Sequence, residues 1–194
     1  MAVKLYFIRH GETDYNVQRK FYGTTDVSIN QTGRKQCETV RDKFKGRTID
    51  KILVSSRKRT HQSAELIFSN RQYEVADFLD EWGFGKWEGL DADQIQAQFP
   101  VEWECWLADP FGYTPPASQP YAQHENRIKS GFRELVAHTS KESSVALVTH
   151  LGTIRVILHD LFPDRPFWEI KLTQGNYTCI DYQNRQFSVD TWNQ

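Results

Sequence analysis

Cysteine, net charge and long apolar runs are all scarce in this 194-residue chain, and each scarcity removes a class of protein. The three cysteines, Cys37, Cys105 and Cys179, are odd in number, far apart and without metal-like spacing. They argue against a disulfide scaffold and fit a reduced, cytoplasmic setting. The formal net charge is −1, so no overall field draws the chain to nucleic acid or to an anionic membrane. No apolar stretch approaches the roughly 20 residues of a membrane helix. The first apolar run is short and ends in Arg9-His10, unlike a signal peptide. Neither an internal repeat nor a low-complexity linker is visible. With 39% hydrophobic and 25% charged residues, the expectation is one domain over residues 1–194 with a buried core.

Apolar periodicity sets out alternating strands and helices. Residues 3–8 read as a continuous apolar strand of the kind buried on both faces of a parallel sheet. Residues 49–54, 73–78 and 145–148 read as further strands, and residues 30–45, 60–68, 122–137 and 153–161 as helices. Residues 177–182 and 186–189 pair as a terminal hairpin, whose Phe187 and Trp192 either pack on the sheet or serve a homodimer. Such alternation predicts a mostly parallel α/β sheet. Residues 98–124 differ in composition, with Trp103, Trp106, Phe111, Tyr113 and Tyr121 set among five prolines. They read either as a rigid lid-like cover over a pocket or as a helical insertion packed on the sheet edge.

Chemistry concentrates at two strand ends. His10 and His150 each follow an apolar strand and have a glycine within two residues, Gly11 and Gly152. Open α/β sheets bind ligands at that edge. Arg9 precedes His10, Arg155 follows His150 by five residues, and Arg59 follows the second strand. Histidine with arginine points to an anion, above all phosphate, which the planar guanidinium grips bidentately. A neutral imidazole at His10 is able to attack phosphorus, with Arg9, Arg59 and His150 facing the charge that develops on oxygen. Glu81 follows the third strand and is placed to protonate the leaving alkoxide, its pKa raised by Trp82 and Phe84 beside it. Asp80 and Glu88 compete for that role, and Arg57 competes with Arg59. Ser55 and Ser56 lack the Gly-x-Ser-x-Gly elbow of a serine nucleophile. A His10–His150–Glu81 metal site lacks local ligand spacing, and the arginines repel a cation, so neither metal nor cofactor is expected.

The residues resemble the histidine phosphatase, or phosphoglycerate mutase-like, superfamily. Arg9-His10-Gly11 matches its Arg-His-Gly hallmark. Asn16 stands at a phosphate-contacting asparagine, Gly23 and Asp26 fit a Gly-x-x-Asp segment, and Ser55 to Ala64 resembles a stretch that singles out Arg59. Leu79 to Gly89 resembles the segment that carries the proton donor, at Glu81, and His150 matches the second histidine. The resemblance implies a three-layer sandwich with a mostly parallel central sheet flanked by helices, a phosphohistidine on His10, and phosphate contacts from Arg9, Asn16, Tyr22, Gly23, Arg59, His150 and Leu151. It implies no metal. Leu151 replaces the usual glycine, Tyr22 a common glutamine and Ser56 a proline. Trp106 to Pro116 and Arg127 resemble the α-ribazole phosphatase branch, although Gln119 replaces that branch's carboxylate. The expected activity is hydrolysis of a small intracellular phosphate ester by a monomer or homodimer, with no nucleic-acid or membrane partner. The alternatives are a mutase, which in this family is longer, and a non-catalytic phosphate-binding module.

Overall fold

The computed structural model describes residues 2–69 and 71–194. Six strands form one sheet: β1 (Val3–Arg9), β2 (Lys51–Val54), β3 (Glu74–Val75), β4 (Ser144–Thr149), β5 (Tyr177–Gln183) and β6 (Gln186–Thr191). Their order is β3-β2-β4-β1-β5-β6. The pairs β1–β4, β2–β4 and β2–β3 are parallel, whereas β1–β5 and β5–β6 are antiparallel.

The apolar runs in β1 and β4 follow from helices covering both faces of the sheet. Val3, Leu5 and Phe7 of β1, with Val145 and Leu147 of β4, face one core. Ile128 and Phe132 of α6 (Tyr121–His138) and Ile154 and Ile157 of α7 (Leu151–Leu161) complete it. Tyr6, Ile8, Ala146 and Val148 face the other core, against Val40 of α2 (Gln31–Lys43) and Ile67 of α3 (Lys58–Ile67). Alternate residues thus point to opposite faces and both sides are apolar. Each large buried side chain contributes roughly 1.5–3 kcal/mol. This is the three-layer α/β sandwich expected.

Local signals set the element ends. Asn30 caps α2 by accepting from the Gly33 N–H at 2.8 Å. The hairpin loop is Asn184-Arg185, whose φ values of 53° and 63° match a two-residue primed turn. Phe187 stacks on Tyr182 at 4.5 Å, against the core, and the Arg165 guanidinium lies 4.5 Å above Trp192.

Two expectations need correction. The strand at 73–78 shrinks to Glu74–Val75, because the Leu79 N–H turns back to the Ala76 carbonyl in a 3-10 turn. Helix α7 starts at Leu151, two residues early, with His150 as its extended N-cap. Residues 98–124 are partly helical and partly buried. They contain α5 (Pro100–Ala108), with Pro100 at its first turn. Its Trp103 packs with Trp87 and with Ile95 of α4 (Ala92–Gln98) in a third apolar cluster, while Phe111 keeps 37% exposure. A short α1 (Asp14–Val17) follows β1. No helix among the described residues is long and apolar enough to cross a membrane.

Candidate active site

The adjacent parallel strands β1 and β4 end in register at Arg9 and Thr149, which brings His10 and His150 side by side. Their ring centroids lie 5.2 Å apart, and both are buried. Together with Arg9, Asn16, Tyr22, Arg59, Glu81 and Leu151 they line one cavity of about 290 Å³. Gly23 stands behind that wall: its carbonyl accepts from Arg59 Nη2 at 2.8 Å.

Hydrogen-bond partners fix the imidazole tautomers. His10 Nδ1 lies 2.8 Å from the Gly11 carbonyl. A carbonyl only accepts, so Nδ1 carries the proton and Nε2 keeps its lone pair. Arg59 Nε donates to His150 Nδ1 at 3.3 Å, which places the His150 proton on Nε2, 2.8 Å from Ser55 Oγ. Burial, then the charges of Arg59 and Arg9, hold His10 well below the usual imidazole range. Burial, then Arg59 and His10, do the same to His150. Both rings are therefore neutral near pH 7.

Arg59 is fully buried. Its Nη1 donates to the Thr25 carbonyl at 2.9 Å, and its guanidinium lies 4.7 Å from the centre of the Tyr22 ring. Tyr22 is anchored by its hydroxyl, 2.8 Å from Thr13 Oγ1. Arg9 reaches the Leu172 carbonyl at 3.4 Å, and its buried Nε has no partner among the described residues. Asn16 Oδ1 accepts from the Thr13 N–H and from Gln174 Nε2, which commits its oxygen and leaves its NH2 for another acceptor.

Glu81 accepts from the Trp82 N–H and, through Oε2, from the Gly152 N–H, both at 3.0 Å. Burial outweighs these bonds and raises the carboxyl pKa. A Cβ on Gly152 would lie 2.4 Å from Glu81 Oε1, so any larger residue there pushes the Glu81 carboxyl group out of this position. Leu151 packs partly into the core, and its side chain leaves the Gly152 contact intact.

The competing residues have other work. Asp80 accepts from the Ser56 N–H and Oγ and pairs with Arg57 at 3.3 Å. Glu88 accepts from the backbone of Gly23, Thr24, Thr25 and Phe84 and from both threonine hydroxyls, and these bonds bring its carboxyl down to about 2. Asp26 receives the Lys58 N–H at 2.7 Å, at the start of α3.

Sequence reasoning missed Arg19 and Lys20 at the cavity wall. Their one signal is a basic pair one helical turn beyond Asn16. It also missed His124, whose Nε2 lies 3.8 Å from Glu81 Oε1 and whose Nδ1 receives Arg127 Nη2 at 3.1 Å. No local pattern marks that residue. Among the described residues, Cys179, Asp181 and Asp190 form one cluster of metal-ligand type. It lies on the terminal hairpin, and Lys4 Nζ already stands 3.0 Å from Asp181 and 3.5 Å from Asp190.

With this geometry in view, a family model described as the histidine phosphatase superfamily, branch 1, matches residues 5–194. Phosphoserine phosphatase 1 of Hydrogenobacter thermophilus is 26% identical over 188 residues, covering 95% of this chain and 89% of that protein. An acid phosphatase of Mycobacterium tuberculosis is 31% identical over 157 residues, covering 80% and 73%. The fold is similar to the crystal structure of the α-ribazole phosphatase from Shigella flexneri, with a TM-score of 0.91, 22% identity and coverage of 98% and 96%.

Proposed function

Because the chain belongs to the histidine phosphatase superfamily, we propose that this cavity hydrolyses small phosphomonoesters by way of a phosphohistidine on His10. One observation carries the reading: His10 spends its Nδ1–H on the Gly11 carbonyl, so the lone pair of Nε2 is free, in a ring that feels the charges of Arg59 and Arg9. In the first step Nε2 forms the N–P bond as the P–O bond to the alcohol breaks. The leaving oxygen takes its proton from Glu81, which burial keeps protonated above the ordinary carboxyl range. In the second step water attacks phosphorus and gives a proton back to Glu81. The N–P bond then breaks and inorganic phosphate departs.

Arg9 and Arg59 supply fixed positive charge to the equatorial oxygens, and the free NH2 of Asn16 supplies a neutral donor. His150 gives up its contact with Arg59 as the phosphate dianion enters, because that charge favours the protonated ring. The Gly23 carbonyl holds Arg59 in place, and residues 98–124 form the cover. No residue role in this scheme calls for a metal. The substitution His10→Ala is expected to abolish phosphate release and acid-stable or acid-labile ³²P labelling alike. Normal turnover in that variant ends the phosphohistidine reading.

A further inference from the structure

Behind Glu81 lies a second chamber that the phosphate chemistry does not use. It encloses about 250 Å³ and shares Phe21, Tyr22, Glu81 and Phe84 with the cavity that contains His10. The remaining wall is mostly aromatic. Trp82 and Tyr121 meet edge to face at 5.3 Å. Phe111, from the 98–124 segment, stacks on Trp168 at 5.4 Å with an interplanar angle of 8°, so the roof is a seam between two parts of the chain.

One cation interrupts these rings. The Arg155 guanidinium carbon lies 5.4 Å from the centre of the Trp168 ring and 5.9 Å from that of Phe167. Its Nε edge donates to the Ile170 carbonyl at 2.9 Å. No carboxylate oxygen lies within 4.0 Å of it among the described residues, and neither Nη atom has a hydrogen-bond partner there. The Nε edge is spent on a backbone carbonyl, and the two Nη groups that grip acids bidentately have no protein partner among the described residues. A solvated helix arginine has no need of two aromatic neighbours and a backbone acceptor.

We infer that this chamber is the leaving-group subsite, and that it takes the alcohol part of a phosphomonoester made of one planar apolar ring bearing an acid group. The ring lies among Trp82, Tyr121, Phe111 and Trp168, and the acid meets the Nη edge of Arg155. This rests on the phosphatase reading above. Size fits such a group: a cavity of about 150 Å³ holds benzene, so this chamber of about 250 Å³ has room for a substituted single ring. Position supports it as well. Glu81 and Gly152 belong to the chamber wall, so an alcohol seated here has its ester oxygen beside the proton donor.

The test compares kcat/KM for ethyl, benzyl and 4-carboxybenzyl phosphate, whose leaving groups have similar basicity between the two benzyl esters. Benzyl is expected to exceed ethyl, and 4-carboxybenzyl to exceed benzyl at least tenfold. In Arg155→Met the ratio of the two benzyl esters should collapse to about one, with an intermediate ratio in Arg155→Lys. Trp168→Ala should shrink the benzyl-to-ethyl ratio. Equal rates for the two benzyl esters in the unaltered protein, or an unchanged ratio in Arg155→Met, overturns the proposal. If none of the three esters releases phosphate, the phosphatase reading fails separately. Calorimetric titration with benzyl- and 4-carboxybenzylphosphonate then decides the chamber. Tenfold tighter binding of the acid, lost in Arg155→Met, supports it, and equal affinity overturns it.

Discussion

Glu81 sits under two backbone N–H groups that favour its charged form, and burial still raises its carboxyl pKa. Its protonated fraction therefore persists to higher pH than in an ordinary carboxyl and falls as pH rises through the raised value. Esters of poor leaving groups should lose kcat/KM on that alkaline limb, while 4-nitrophenyl phosphate, whose leaving group needs no proton, should not. Glu81→Gln should lower the alkyl ester by about 100-fold or more and the aryl ester by less than about 10-fold. Parallel pH profiles of the two esters check this, and equal losses on both remove Glu81 from the acid role. At this scale much was legible, because Arg9, His10, Asn16 and Arg59 sit in short local motifs. Residue order alone does not show which N–H points where. Leu151 drew attention as the unusual neighbour of His150, yet the steric demand falls on Gly152, whose absent Cβ makes room for a carboxylate 71 residues earlier.

The loop at 22–25 has no regular secondary structure, but Arg59 depends on the carbonyls of Gly23 and Thr25. Glu88 gathers that loop by accepting from three of its N–H groups and two of its hydroxyls. Replacing Glu88 by Gln turns one acceptor into a donor facing donors, so those groups lose their partner. The expected result is a drop in kcat/KM of about tenfold or more, with the larger share in kcat, measured beside the urea midpoint. Unchanged kinetics would show that the loop holds Arg59 without Glu88. Such latches escape sequence reasoning because they span some 60 residues and leave no periodic trace. The edge of the sheet escaped for a different reason. Tyr73, Val75 and Phe78 have strand-like composition, but the chain leaves the sheet after Val75 so that the Leu79 carbonyl can receive the Thr149 hydroxyl at 2.6 Å. That turn brings Glu81 to the site. The strands at 3–8 and 145–148 were legible because helices on both faces demand unbroken apolar runs.

Across the whole molecule, the site holds several ionisable groups in buried positions, and this ties stability to pH. His124 is held down to about 3, mainly by burial and secondly by Arg127, whereas in the unfolded chain a histidine titrates near ~6.5. Below that pH the unfolded chain gains a proton that the folded protein refuses, so stability is present above ~6.5 and is lost as pH falls. At pH 5 the loss is ~2 kcal/mol for this group, and His10 and His150 act in the same direction. Glu88 adds its loss only below the ordinary carboxyl value of 4.5, since its own folded value is about 2. Glu81, with a raised pKa, works in the opposite sense, and to first order it cancels between two proteins that both keep it. Urea unfolding of the unaltered protein and of His124→Phe at pH 7 and pH 5 isolates the histidine contribution. The variant starts lower, because Arg127 loses the ring nitrogen it donates to. The unaltered protein should nevertheless lose ~2 kcal/mol more than the variant between the two pH values. Equal losses would mean that His124 takes up its proton in the folded protein, with the ring turned toward Glu81 as an ion pair.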